Sequence, residues 1–535
     1  MSTPRRATFR VASAACAAAL ALGAAACNSS SSGSSQPASS GAPSSSGAPV
    51  AGGSSGTLHL AFLSDMSTPD PDVFYDIEGN TVILSTYDGL VQYKPGTTTI
   101  EPDLAESYSV SKDQLTYTFH LRHGVVFHDG TPFNSAAAKA SFQRRLDVNN
   151  APAYMLTPVA KMLTPDAYTF VVKLKQVVTP FLDYLASSWG PKMLSPTALR
   201  KHAGKDFGQT YLQTHDIGTG PYTLTAFVRG DHYTLTRFPH YWGTAPAYQT
   251  IDIKITPDMN SQILALKSGD QDAILHSFPT PELASITGDS SLKVYNFDSY
   301  LTALLYMNVS KAPLSNLKLR QEIASAIDVP DLVKEVYGSY GTVAKSMYPQ
   351  GIMDPSLAPL TYPAKTIHVT GVPKLDFAYT ADDSGLQQRL AELIQQKLEA
   401  AGFSVSVREV QNAQTYGFPS DVKHAPDLLL ETNTPDAAHP DTWGRIVWGT
   451  GGGLNFFDYS NKKVDQLMDK GRSTIDKTAS FADYAQAGEL MAKDYPILFL
   501  ASTQDVMVWR SSVTGVSFRP EEPWTVPIPS LAGTG

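Results

Sequence analysis

The stretch 375–410 constrains the fold most, because it passes from strand to helix and back to strand within one compact unit. Residues 375–380 read as a short apolar strand, and Ala381-Asp382-Asp383-Ser384 then offers side chains able to cap a helix. Leu386, Leu390, Leu393, Ile394 and Leu398 fall on one helical stripe, which Gly402 is placed to end. Phe403, Val405 and Val407 alternate as the next strand. Strand, helix, strand predicts a right-handed parallel crossover and therefore an α/β fold. In open sheets of that kind, ligands sit beyond the carboxyl ends of the strands.

Other segments supply sheet of a different sort. Residues 57–63 alternate as an opening strand, and 115–122 set Leu115, Tyr117, Phe119 and Leu121 against Thr116, Thr118, His120 and Arg122. Residues 168–175, 222–228 and 232–238 behave alike, the last two joined by Arg229-Gly230-Asp231 as a hairpin. Gly218, Gly220 and Pro221 form a tight turn ahead of the strand at 222. Residues 319–333 read as an amphipathic helix broken near Pro330. At 535 residues with no internal repeat, the chain is too long for one core, so two or three lobes are expected.

The N-terminus is organised differently. Arg5, Arg6 and Arg10 precede a short apolar run ending in small residues before Cys27, the pattern of a secretory signal over residues 1–26. That run falls short of the roughly 18–20 residues that an ordinary membrane-spanning helix needs. Residues 28–56 are almost wholly Ser, Gly, Ala and Pro, a composition that cannot bury enough apolar surface to order itself. As a flexible coil such a spacer extends about 30 Å. The only cysteines are Cys16 and Cys27, so neither a disulfide nor a cysteine-held zinc supports the body of the chain. The formal net charge is −9, and loss of the three leader arginines makes the remainder more acidic still. That balance argues against nucleic acid as a partner.

Several long stretches, in order, resemble the peptide/nickel/oligosaccharide group of ABC-transporter solute-binding proteins (family 5, the oligopeptide-, dipeptide- and nickel-binding type). They are Tyr87–Tyr93, 102–144, 218–243, 307–349 and 455–471. The resemblance implies an α/β fold of the class II periplasmic-binding-protein kind, with two lobes and an extra inserted subdomain (three-domain, cluster C). It implies a discontinuous lobe I of 57–93, 206–300 and 501–535, an inserted subdomain of 94–205, and a lobe II of 301–500. A solute captured between the lobes selects the closed form that a permease recognises. Cys27 resembles a lipobox cysteine, although Ala24 stands where leucine is usual. Lipidation there makes residues 27–56 a tether on the extracytoplasmic face of the membrane. The expected partners are an oligopeptide or other small solute and the ABC permease subunits, with the membrane touched through the lipid alone, no nucleic acid, no cofactor, and a monomeric state.

Residues 428–453 hold the candidate site. In peptide-binding relatives this loop carries an aspartate, in a run like Ala-Asp-Tyr-Pro-Asp-Pro, that pairs with the peptide ammonium. Set against that run, the position falls on Ala438, with Asp436 and Asp441 as possible substitutes. Trp443 and Trp448 are candidates to stack on a ligand or to fill the core. Asn433 and Asp441 are candidate polar contacts, His439 a candidate metallophore contact, and Tyr300 and His276 candidates near the lobe crossings. His120, His123 and His128 cluster in sequence, but a strand puts 120 and 123 on opposite faces, so no metal site is assigned.

No G-x-S-x-G, H-E-x-x-H or P-loop occurs, and Gly218-Thr219-Gly220 runs into Pro221 and a strand, not a helix, which excludes a dinucleotide fingerprint. An enzyme is therefore not expected. Saccharide or metallophore binding, a surface-displayed sensory module of the same fold, and an extracellular hydrolase remain as alternatives.

Overall fold

The computed structural model describes residues 56–276, 278, 280–362, 365, 367–381 and 385–533. The leader, Cys16, Cys27, nearly all of the spacer, and the capping run Asp382-Asp383-Ser384 lie outside the described residues.

The unit at 375–410 forms as its periodicities dictate. Strands Leu375–Thr380 and Val405–Val410 lie parallel, Leu375 opposite Val405, and the helix Leu386–Ala400 crosses between them. Leu390, Ile394 and Leu398 are interior, while Leu386 and Leu393 flank the same core. Gly402 ends the turn at φ +93°, and a Cβ there would lie 2.4 Å from the Val369 carbonyl oxygen, so only glycine fits.

The segment around Pro330 departs from the single broken helix expected. Two helices form, Leu317–Ala326 and Val329–Tyr337, and the second is capped by Asp328, whose side chain accepts from the Asp331 amide. Pro330 sits in the first turn of that second helix, where a missing N–H costs nothing. Proline thus opens the second helix, and the break falls just before it.

Two four-stranded sheets share the first core. In one, Thr57–Phe62 runs parallel to Thr250–Ile255, which continues into His232–Arg237 and Tyr222–Val228. The expected hairpin closes with Val228 opposite His232 and Gly230 at φ +71°. In the other, Ala105–Val110, Thr116–Leu121, Thr169–Leu174 and Val159–Asp166 are antiparallel throughout. The apolar faces of both, with Met507, Trp509 and Phe518 from the C-terminal part, build one continuous core.

The second body is a mixed sheet whose central members are Leu292–Met307, Ile497–Arg510, Leu428–Asn433 and Leu375–Thr380. Apolar layers cover both faces. Its two longest strands also reach the first body. Leu292–Asp298 pairs with Gln504–Arg510, and Thr302–Tyr306 pairs with Ile497–Ser502. Between these halves the register shifts, so that Ser299, Tyr300 and Leu301 bulge out of the ladder. Leu498 and Leu500 serve the second core, whereas Met507 and Trp509 serve the first. One strand pair therefore runs through both bodies.

The loop after the first strand is held by a buried ionic network. Helix Ser135–Val148 carries Arg144 and Arg145 inward. Arg144 donates to both carboxylate oxygens of Asp70, at 2.8 and 2.6 Å, and to Asp72 at 2.6 Å. Arg145 donates to Asp72 at 2.8 Å and to the carbonyls of Pro71 and Trp189. All four side chains are nearly or fully buried, and the network fixes the segment that leads into Tyr75. Among the described residues no helix is long and apolar enough to cross a membrane.

Candidate functional site

The strand Leu428–Asn433 ends at the face where the two bodies meet, as an α/β sheet directs, and the loop that follows faces tyrosines of the first body. Asp436 is the central group. Its Oδ2 accepts from the hydroxyls of Tyr75 and Tyr154, both at 2.5 Å, and its carbonyl oxygen accepts from Ser187 Oγ at 2.5 Å. The Ala438 amide donates to the Tyr93 hydroxyl at 3.1 Å, and that hydroxyl donates to Asp183 at 2.9 Å. Burial pushes the Asp436 carboxyl up to about 6 against the pull of the Tyr154 and Tyr75 hydrogen bonds. No cationic side chain lies within ion-pair distance of it among the described residues. Asp436 is thus an interior acid satisfied by neutral hydroxyls alone.

Asp441 stands in contrast. It accepts from Tyr184 and Tyr484, each at 2.9 Å, and pairs with Arg445 at 3.1 Å. Burial works to raise its carboxyl, but the Arg445 and Arg472 guanidinium groups outweigh that and hold it below its ordinary value. Arg472 also donates to Tyr184, and its carbonyl accepts from the Thr179 amide. Asp441 therefore latches the two bodies together, with no capacity left for a further cation.

The other sequence-predicted residues separate in the same way. Trp443 and Trp448 are 0% and 1% exposed, packed edge to face at 6.3 Å inside the second core. The Trp443 indole N–H donates to the Met347 carbonyl. Neither indole offers a free face, which corrects the stacking expectation: an amphipathic helix, Pro440–Val447, turns Trp443 inward. His439 is that helix's N-cap, its Nδ1 accepting from the Asp441 amide, and burial lowers it to about 4. With Nδ1 committed and the ring packed against Phe481 and Tyr484, the metallophore contact gives way to a capping role. Asn433 donates to the Tyr306 hydroxyl at 3.2 Å. His276 pairs with Glu78 at 2.7 Å and stacks on Trp524. Tyr300 occupies the strand bulge, with its amide bonded to the Pro520 carbonyl and its hydroxyl buried. Of the histidine run, His123 lies on Tyr168 and His128 pairs with Asp216.

The tyrosines are what sequence reasoning missed. Tyr75 and Tyr154 stand 361 and 282 residues from Asp436, so no local pattern joins them. Of the two aspartates named as substitutes for Ala438, Asp436 is the one that faces Tyr75 and Tyr154 without a cation among the described residues. Two further acids were not singled out. Glu431, on the strand leading to the loop, is 3% exposed with its Oε2 unpartnered, and burial pushes it up to about 8. Glu521 is equally interior.

The family profile of "Bacterial extracellular solute-binding proteins, family 5 Middle" matches residues 99–455, well over half of the chain. The chain belongs to this family. A similar curated protein is the probable D,D-dipeptide-binding periplasmic protein DdpA of Escherichia coli K12. It is 30% identical over 474 residues, covering 85% of this chain and 90% of that one. The glutathione-binding protein GsiB of Escherichia coli O1:K1 is 28% identical, covering 86% and 91%. Among solved structures, the periplasmic binding protein DppA of Helicobacter pylori, in complex with the peptide STSA, superposes with a TM-score of 0.78. That match has 23% identity and covers 90% of this chain and 98% of that one, a likeness of fold. The α/β multi-domain architecture that the resemblance implied for a family 5 solute-binding protein is the one observed.

Proposed function

We propose that this family 5 protein captures an oligopeptide, or a similar-sized solute bearing a free ammonium group, between its two bodies and hands it to an ABC importer. One observation carries the reading: Asp436 is an interior carboxylate at the meeting face, held by hydroxyls of the opposite body and by no cation. An ammonium supplies what those hydroxyls do not, a charge that keeps Asp436 ionised in a dry site. The lobes follow the division 57–93, 206–300 and 501–535, then 94–205, then 301–500, with the two crossing strands as the hinge. The protein acts as a carrier, not a catalyst, in keeping with relatives that are named as binding proteins. It works as a monomer on the extracytoplasmic face, held by a lipid on Cys27 and the spacer behind it.

Calorimetry of the mature protein against tripeptides with free and with acetylated amino termini tests this. Free peptides bind and acetylation weakens them about 100-fold, the scale expected when a buried charge loses its partner. Asp436→Asn produces a drop of similar size for the free peptides alone. Equal binding of both sets overturns the ammonium dock, and silence towards peptides, saccharides and metal chelates together overturns solute capture. Cys27→Ser is expected to move the exported protein from the membrane fraction to the medium, and retention on the membrane overturns the lipid anchor.

A further inference from the structure

A second unpaired acid stands where the strands cross between the bodies. Glu521 is 1% exposed, and neither of its carboxylate oxygens finds a hydrogen-bond partner in another of the described residues. The nearby cation is spoken for: Arg519 pairs with Glu522 at 3.2 Å and donates to Gln92 at 2.9 Å. Tyr300 reaches this place from the bulge. Its amide donates to the carbonyl of Pro520, the residue before Glu521, and its hydroxyl is buried without a partner among the described residues. Tyr93, whose hydroxyl accepts from the Ala438 amide, follows Gln92, whose side chain accepts from Arg519, two residues before Glu521. Glu521 and Asp436 therefore flank one stretch of the interface. An interior carboxylate with no donor is costly, and a second body that closes over it leaves water few routes to solvate it.

We propose that Glu521 and the Tyr300 hydroxyl form a second cation-anchoring subsite, so that the solute carries two positive centres, one for Asp436 and one for Glu521. This rests on the solute-capture reading above and adds the charge of the ligand to it. The chemistry is that of a peptide with a free amino terminus and a basic side chain. An ammonium brings three donors, enough for both carboxylate oxygens of Glu521 and for the Tyr300 oxygen. Among the described residues the guanidinium groups near the interface are engaged elsewhere, Arg445 and Arg472 by Asp441 and Arg519 by Glu522, and the buried Lys192 ammonium donates to the Ser187 carbonyl. The interior thus favours a cationic solute over one with a free carboxylate.

The test uses the mature protein and tripeptide amides with free amino termini, identical except for lysine or norleucine at the second or third position. Norleucine keeps the lysine stem and removes only the charge, and the amide keeps a carboxylate away from Glu521. Wild type is expected to prefer lysine by about ten-fold or more at one of the two positions. Glu521→Gln is expected to bring the two peptides within about two-fold by weakening the lysine peptide alone. If Glu521→Gln does not fold, Tyr300→Phe, which removes only the unpartnered hydroxyl, is expected to cut the preference about three-fold. Equal binding of lysine and norleucine peptides that still depends on Asp436, or a preference surviving in both variants, overturns the second anchor and leaves solute capture standing. Silence towards both sets overturns the two together.

Discussion

Asp72→Ala is expected to lower the stability of the first body by about 3–5 kcal/mol, the range seen when one partner is removed from a buried ion pair. The substitution removes a carboxylate shared by two guanidinium groups. Arg145 is fully buried, and among the described residues Asp72 is the only carboxylate it touches. Arg144 keeps Asp70 but loses its second acid. Neither arginine can shed its proton at any accessible pH, so the charge stays. Urea unfolding, followed by the tryptophan signal, reads the effect as a lower midpoint. Asp331→Ala makes the control: it breaks the Lys397 pair, where Asp331 is 61% exposed, and is expected to leave the midpoint nearly unchanged. Similar losses for the two variants would show that Arg144 and Arg145 find other acceptors. The network also fixes the backbone before Tyr75, so Asp72→Ala is expected to weaken solute binding even where the protein stays folded.

The ligand-free protein is expected to lose stability as pH rises from about 5 to 8, and Glu431 contributes to that loss. Its carboxyl stands at about 8 in the folded chain, against an ordinary 4.5. Between those values the folded state holds a proton that the unfolded state has released, so stability falls with rising pH across that window. Below 4.5 both states are protonated and the penalty vanishes; above 8 it is complete. A shift of that size corresponds to about 5 kcal/mol. Asp183, at about 7, and Asp436, at about 6, act in the same direction over narrower windows. Glu431→Gln removes the titrating group, and the variant is expected to melt higher than wild type at pH 8.5 and level with it at pH 4.5. Parallel melting profiles across that range would show Glu431 to be ionised and solvated in the folded chain.

The parts of the fold legible in the sequence were those fixed by local periodicity. The stripe of Leu390, Ile394 and Leu398 can bury only as a helix, and the alternation at 116–121 only as a strand, so both appear where expected. The site was less legible because contacts between distant segments make it. Nothing near Tyr75 or Tyr154 signals that each hydroxyl ends on one carboxylate oxygen far along the chain. Trp443 and Trp448 stayed open between ligand and core for a related reason: a tryptophan in a polar, proline-punctuated loop looks available, whereas the short helix at Pro440–Val447 turns Trp443 inward and Trp448, its C-cap, packs against it. The loop itself has no periodicity, so two nearby aspartates gave no means of telling the latch, Asp441, from the free acid, Asp436. Only their partners distinguish them.

The paired long strands have a mechanical consequence. Leu292–Met307 and Ile497–Arg510 are bonded to each other on both sides of the bulge, so sliding one past the other breaks many hydrogen bonds at once. Bending at Ser299–Leu301 breaks few, because the ladder is already open there. The joint therefore resists shear and yields most easily by bending at the bulge. Under such bending, groups beside the bulge, Tyr300 among them, would travel less than those farther along the strands.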